Sequence, residues 1–510
     1  MGIFNKLKTE NNKNQTTRGF YFGHTEAEGE NKNGIQNLDN YFEDYLNVLP
    51  EIVNEKFIFI GRKGSGKSAI AKFLKDSCDK EKDSFADIIK FNDIELESIV
   101  QNIPIEERKN IELLIFEWLV LVRIVRLIVQ SNCGVFTNEH KKFKDFLARN
   151  TGFAEIDKYH LNEIIEKKKL EISIDVLKHV FGSTIGKYFD AKKTKAPFYQ
   201  FVNPLKEIVE KVLKYNVFKD QEFLILFDDL DIKFKADDND SKEKLLSLLR
   251  AAKNLNTTIF KNTQTKVLVF LRDDIKNVIE TKDSDTSKLF SSYDISLNWY
   301  DHQNFRFDEN HVNLKKFANK RIGLNFKSNN LLYNSDDPWN TLFDNDNSAY
   351  NNKSSFKFFI DYTFYRPRDI ILFLSEIGNN DYVYPIGSKY FKLLIQKFVQ
   401  ANIKELKSEF IIHFSEIEIA NLFLGLKRIC NLGVATSKND IMEVFREELP
   451  SQNPNKVIQL LLDYSILILK DSEDKLYFNY RDNNIETVNF DEMDLTIHKS
   501  IYKYFNPDRN

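Results

Sequence analysis

Lys56-Phe-Ile-Phe-Ile60 runs directly into Gly61-Arg-Lys-Gly-Ser-Gly-Lys-Ser68. A short apolar run bounded by glycine reads as a buried strand. The residues after it, from Lys67 to about Asp76, read as a helix. The pattern Gly-x-x-x-x-Gly-Lys-Ser between strand and helix has a specific physical use. Its glycines let the backbone wrap closely round an anion. The loop N–H groups and the helix N-terminus then form an anion cradle. In that arrangement Lys67 places a positive charge on β- and γ-phosphates, and the Ser68 hydroxyl ligates Mg²⁺. The candidate nucleotide-binding residues are therefore Gly61, Arg62, Lys63, Gly64, Ser65, Gly66, Lys67, Ser68 and Ala69, with ATP and Mg²⁺ as the implied ligands.

Such a loop needs an acidic strand end beside it. Leu224-Ile-Leu-Phe-Asp-Asp-Leu-Asp231 supplies one. Asp228 is expected to hold Mg²⁺ through water, and Asp229 to orient or activate the attacking water. A third apolar run, Lys266-Val-Leu-Val-Phe-Leu271, ends in Arg272-Asp-Asp-Ile275. Arg272 there either reads the γ-phosphate or pairs with Asp273 or Asp274 at the surface. Further on, Arg366-Pro-Arg-Asp369 opens an apolar helix, because Pro is favoured at the first helical position. Arg368 then either reaches phosphate or stays at the surface beside an Asp369 cap. Strands alternating with helices such as Lys242–Asn254 predict an α/β fold with a mostly parallel sheet.

Residues 1 to about 18 are polar and read as a loose arm. Leu38, Tyr41, Phe42, Tyr45 and Leu46 recur at helical spacing. Residues 19–330 form the expected core, with 80–215 as a mostly helical insert. Within it, the apolar run Ile111–Val129 carries Glu112, Glu117, Arg123 and Arg126, so it reads as a buried helix and not a membrane span. Residues 330–356 look loop-like, and 331–410 form a helical lid. From 411 to 510, three short helices precede two strands, Ile466–Leu469 and Leu476–Tyr480, joined by a charged turn; this order predicts a winged-helix domain.

With 42% hydrophobic and 29% charged residues, the chain has a globular, not a disordered, composition. A net charge of -3 gives no general attraction to nucleic acid or acidic membranes. The frequent Phe, Asn and Lys read as A/T-rich codon usage. Cys78, Cys133 and Cys430 lie too far apart for a zinc motif and fit a reducing, cytoplasmic setting.

These motifs, in this order, resemble a group of prokaryotic P-loop ATPases related to the AAA+ and STAND classes. Phe22-Gly-His-Thr-Glu-Ala-Glu28 resembles the box that these proteins carry before the loop, where the family's chain approaches the adenine. Ser296-Leu-Asn-Trp299 with Lys320-Arg-Ile322 resembles the stretch after the sensor strand. Arg366-Pro-Arg-Asp369 resembles the lid arginine motif, and Ile497-His498 the C-terminal close. The resemblance implies ATP hydrolysis with catalytic roles for Lys67, Asp229 and Arg272, a protein partner or effector subunit, and self-association. It also implies a setting in bacterial conflict and anti-phage loci. The chain departs from most AAA+ proteins in carrying Asp228-Asp229 where they have Asp-Glu, which implies slow turnover.

Two functions fit: a nucleotide-driven conformational switch, or a DNA-bound initiator-like or remodelling ATPase. A small-molecule kinase is disfavoured by the large C-terminal region, and a transporter ATPase by the missing LSGGQ-like signature. Residues 411–510 hold 11 Lys and Arg against 16 Asp and Glu, and the third helix, Asn455–Tyr464, carries Lys456 as its one base. A DNA-reading helix needs cations for phosphates, so the charge favours a protein contact. Nucleic acid would instead meet the basic runs at 167–169 and 192–195, which otherwise are solvated helix faces.

Overall fold

The computed structural model describes residues 16–29, 37–90, 111–131, 171–173, 188, 195–214, 218–231, 234–236, 238–280, 284–301, 308–433, 436–480 and 493–508. Two compact units emerge from its contacts. The sheet unit comprises Val48–Gly61 and Lys67–Ser296. The C-terminal unit comprises Met1–Asn47, Arg62–Gly66 and Leu297–Asn510. The glycine-rich loop thus belongs by its contacts to the second unit, while both its flanks belong to the first.

In the sheet unit, the strands are β1 (Ile58–Ile60), β2 (Ser84–Lys90), β3 (Glu171–Ser173), β4 (Lys195–Pro197), β5 (Glu222–Asp228), β6 (Thr265–Leu271) and β7 (Asp294–Ser296). Five of them form one sheet in the order β2-β5-β6-β1-β7, with every pairing parallel. A parallel sheet is covered on both faces, so its strands are continuous apolar runs. All three residues of β1 are buried, as are the last five of β6. The register pairs Ile60 with Leu271, and the Gly61 N–H donates to the Leu271 carbonyl at 3.2 Å. The ends of β1 and β6 therefore lie side by side, at the edge where open α/β sheets bind ligands.

Among the described residues, helices Lys67–Cys78, Ile111–Gln130, Val202–Leu213, Asn239–Thr257, Asp273–Glu280 and Ser284–Tyr293 also belong to this unit. The charges of Ile111–Gln130 find partners in it: Glu117 is buried against Lys206 at 2.7 Å, and Arg123 meets Asp87 at 3.1 Å. Among the described residues no helix is long and apolar enough to cross a membrane. Within 80–215, expected to be mostly helical, β2 pairs along seven residues with β5, and β3 pairs antiparallel with β4. The mixed burial of β2, with its polar residues partly covered, hid it from a search for apolar runs. The basic runs at 167–169 and 192–194 and Cys133 lie outside the described residues, as do residues 1–15 of the expected arm.

The C-terminal unit is built on aromatic packing. Helices Asn313–Ser328, Pro338–Leu342, Ser355–Ile360, Pro367–Gly378 and Ser388–Glu409 come first. The buried Trp339 ring is met by Phe343, Phe356, Phe359, Phe373 and Phe391, with centroids 4.5–6.3 Å away. Part of the expected arm joins this core: Thr17 is fully buried, and its N–H donates to the Tyr382 carbonyl at 2.8 Å. The helical spacing at 38–47 yields a helix only at Leu38–Tyr41. Phe42 turns extended and Asn47 takes φ +52°, so Tyr45 reaches Trp299 from a turn. The loop-like stretch 330–356 contains Pro338–Leu342, started by an Asp337 cap. The described residues within 416–505 form helices Glu416–Leu432, Lys438–Glu448 and Pro454–Asp463, strands β8 (Leu467–Lys470), β9 (Leu476–Tyr477) and β10 (Asp494–Ile497), and helix Lys499–Phe505. The three strands are antiparallel in the order β10-β8-β9.

Candidate nucleotide-binding site

Within the sheet unit, three strand ends bring the expected polar residues together. β1 leads through Gly61, and Lys67 and Ser68 open the helix Lys67–Cys78, with Ala69 following in its first turn. β5 ends at Asp228, and Arg272 follows β6. The Ser68 hydroxyl and Lys67 both lie near enough to the Asp228 carboxylate to stabilise its charge. The Lys67 ammonium donates to the Gly61 carbonyl at 2.7 Å. Burial, with Arg272 adding to it, pulls the lysine below its ordinary range, while Asp273, Asp231 and Asp228 oppose the shift. Asp228 is 5% exposed, and burial, reinforced by Asp229, pushes its carboxyl up to about 6. A carboxylate so destabilised is a group whose charge an incoming cation would relieve.

Asp229 turns away from the strand with φ +56°, a left-handed conformation that Asp tolerates better than most residues. Its carboxylate meets Lys90 of β2 at 2.9 Å. Arg272 has acidic partners, but not at the surface as one of its two expectations had it. It pairs with Asp274, through Nε at 3.0 Å and Nη2 at 2.5 Å, and also with Asp231 at 2.9 Å, yet it is only 5% exposed and not on the surface.

Within the C-terminal unit, the loop Arg62–Gly66 is held by its carbonyls. The Ser65 N–H closes a turn onto the Arg62 carbonyl at 3.0 Å. Arg366 Nη1 donates to the Lys63 carbonyl at 3.2 Å, the Arg368 N–H to the Gly64 carbonyl at 3.3 Å, and the Trp299 indole N–H to the Ser65 carbonyl at 2.8 Å. Gly64 and Gly66 take φ +83° and +101°, where a side chain would be strained. A Cβ on Gly64 would also stand 2.8 Å from the Arg368 Cβ, whereas nothing crowds Gly66. The Ser65 hydroxyl is buried without a hydrogen-bond partner among the described residues. Arg62 reaches the Tyr464 carbonyl at 2.8 Å and lies over the Phe364 and Tyr480 rings, while Lys63 donates to Ser408 at 3.1 Å.

The two arginines at the start of Pro367–Gly378 have different surroundings. Arg368 donates to the Thr25 carbonyl through Nε and Nη2, at 3.2 and 3.1 Å, and to Glu405 at 2.9 Å. Arg366, 2% exposed, donates to Asp369, Glu409 and Asn402 at 2.8–3.0 Å. Burial opposes its charge, but Asp369 and Glu409 outweigh burial and raise the guanidinium above its ordinary range. Asp369 also caps the helix, accepting from the Phe364 and Arg366 N–H groups.

Trp299 and Arg366 stand within sequence motifs, but neither is among the candidate site residues that those motifs offer. Their partners Ser65 and Lys63 lie 234 and 303 residues away, so no local pattern reveals the pairing. Residues 312–382 match the family model of the FunZ-associated C-terminal helical domain. The match covers the helices from Asn313–Ser328 to Pro367–Gly378, and so includes both arginines. No curated protein matches the chain.

Proposed function

We propose that the chain is an ATP-binding, slowly hydrolysing P-loop ATPase that works as a nucleotide-driven conformational switch. The observation that carries this reading is the juxtaposition of Ser68 and Asp228 with half-buried Lys67 beside them, at the carboxyl ends of parallel strands. The residues fit a magnesium nucleotide. Ser68 and Asp228 offer hard oxygen donors of the kind Mg²⁺ takes through one carboxylate and its own waters. Lys67 exchanges the Gly61 carbonyl for phosphate oxygen. Gly66 leaves room for the backbone to approach, and the orphaned Ser65 hydroxyl is a group that a ligand would satisfy. When bound, Mg²⁺ supplies charge neutralisation at the β- and γ-oxygens.

The chain's own residues then divide the work. Lys67 binds and orients the phosphates. Asp228 stays ionised once the cation is near. Asp229 accepts a hydrogen bond from the attacking water and holds it in line. A short aspartate tied to Lys90 does this less readily than a glutamate, so turnover is expected below the usual 1 to 10³ per second. Arg272 and Arg368 are candidate γ-phosphate sensors; each would have to exchange its present partners for phosphate.

The C-terminal helices and strands, read as a winged helix, are assigned to protein contact. On the third helix, Pro454–Asp463, the exposed residues are Asn455, Lys456 and Gln459, which is too little charge to neutralise several DNA phosphates. The anti-phage setting rests on the family resemblance alone, and the neighbouring genes would test it. The ATP reading is tested by calorimetry of Mg-ATP on the full chain and on Lys67→Ala. Affinity should fall by about a hundredfold or more, since charge-assisted contacts to phosphate are lost. Equal binding by the two proteins would remove the site assignment.

A further inference from the structure

The loop Arg62–Gly66 is held by residues far from it in sequence, and those contacts act on its peptide planes. A peptide unit is planar and trans, so anchoring the carbonyl of one residue turns the N–H of the next residue the opposite way. The bond from Arg366 to the Lys63 carbonyl therefore aims the Gly64 N–H, and the bond from Trp299 to the Ser65 carbonyl aims the Gly66 N–H. Both glycines have positive φ, so sterics alone leave these two peptides the freest in the loop. The Trp299 contact is the shorter at 2.8 Å, and its ring is steadied by Tyr45 and Phe317, with centroids 6.0 and 5.8 Å away.

We propose that Trp299, assisted by Arg366, is a positioning residue that presets the loop N–H groups for polyphosphate, so that side chains far off in sequence set phosphate affinity through the loop carbonyls. This rests on the nucleotide reading above and deepens it. Neither side chain touches the ligand in this scheme. Without the clamp, the glycine peptides sample other orientations, and binding must first select the competent one.

The decisive variant is Trp299→Phe, which keeps an aromatic ring against Tyr45 and Phe317 but removes the indole N–H. Calorimetry on the full chain with Mg-ADP and with inorganic pyrophosphate should show both weakened about three- to tenfold, the range of one neutral hydrogen bond. Adenosine, which lacks phosphate, should bind the variant and the wild type alike. An unchanged pyrophosphate and Mg-ADP affinity, with only the melting temperature lowered, would reduce Trp299 to a packing residue and overturn the proposal. Should the variant fold poorly, the ¹⁵N-indole signals of the wild type decide. Pyrophosphate should shift the Trp299 resonance, whereas the buried Trp118 and Trp339 signals stay in place; an unmoved Trp299 signal would overturn the proposal. Wild-type protein that bound neither Mg-ADP nor pyrophosphate would instead overturn the nucleotide reading and this inference with it.

Discussion

The sheet unit and the C-terminal unit solve the same problem, holding polar groups in place, by opposite means. In the sheet unit, parallel register does the work: Gly61, Asp228 and Arg272 meet because each ends or follows a strand of one sheet. In the C-terminal unit, long-range side-chain bonds do it. Arg366 alone ties the Lys63 carbonyl, Asp369, Asn402 and Glu409 into one buried network. Backbone ladders tolerate changes of side chain as long as the apolar pattern persists. A buried charge network does not, because removing one member leaves its partners desolvated and unpaired.

Arg366→Ala tests the contrast most strongly. The C-terminal unit should lose about 3–5 kcal/mol in denaturant unfolding, the cost of leaving Asp369 and Glu409 buried without their cation. A loss below about 1 kcal/mol would show that the network relaxes and that the contrast is overstated. Arg366→Lys should recover only part, since an ammonium cannot reproduce a forked guanidinium.

Asp229→Asn comes next. Asn accepts the left-handed backbone as Asp does, so the strand end should keep its shape. Single-turnover ATP hydrolysis should fall about a hundredfold with Mg-ATP affinity retained, in line with loss of a general base. Loss of binding with the turnover of bound ATP unchanged would exchange the roles of Asp228 and Asp229.

The smallest effect concerns pH. Asp228 is raised from 3.8 to about 6. Between those values the folded chain holds a proton that the unfolded chain has released. This group alone therefore makes stability fall as pH rises through that window. Mg-ATP binding should run the other way, strengthening by up to about tenfold per pH unit below pH 6 and levelling off above it, because the cation needs the carboxylate ionised. Asp228→Asn should flatten that profile. Calorimetry at pH 5, 6 and 7 measures both proteins.

Local chemistry in the sequence was enough to locate β1, β5 and β6, the helix after Gly66 and the helix opened by Pro367, since buried parallel strands are apolar runs and caps are local. It was also enough to single out Lys67, Ser68 and Asp228 as groups that ought to meet. It did not disclose β2, whose polar residues are only partly covered, nor the short reach of the helix at Leu38–Tyr41, where Tyr45 packs from a turn. The frequent phenylalanines read as codon usage; packing decided that five of the 44 surround Trp339. Only the tertiary structure decided what grips the glycine-rich loop. Its motif specifies the loop's own backbone freedom, because that depends on which residues lack a Cβ. The carbonyl partners Trp299 and Arg366 arrive from hundreds of residues away, and their approach is a property of the packed C-terminal unit that no spacing in the chain encodes.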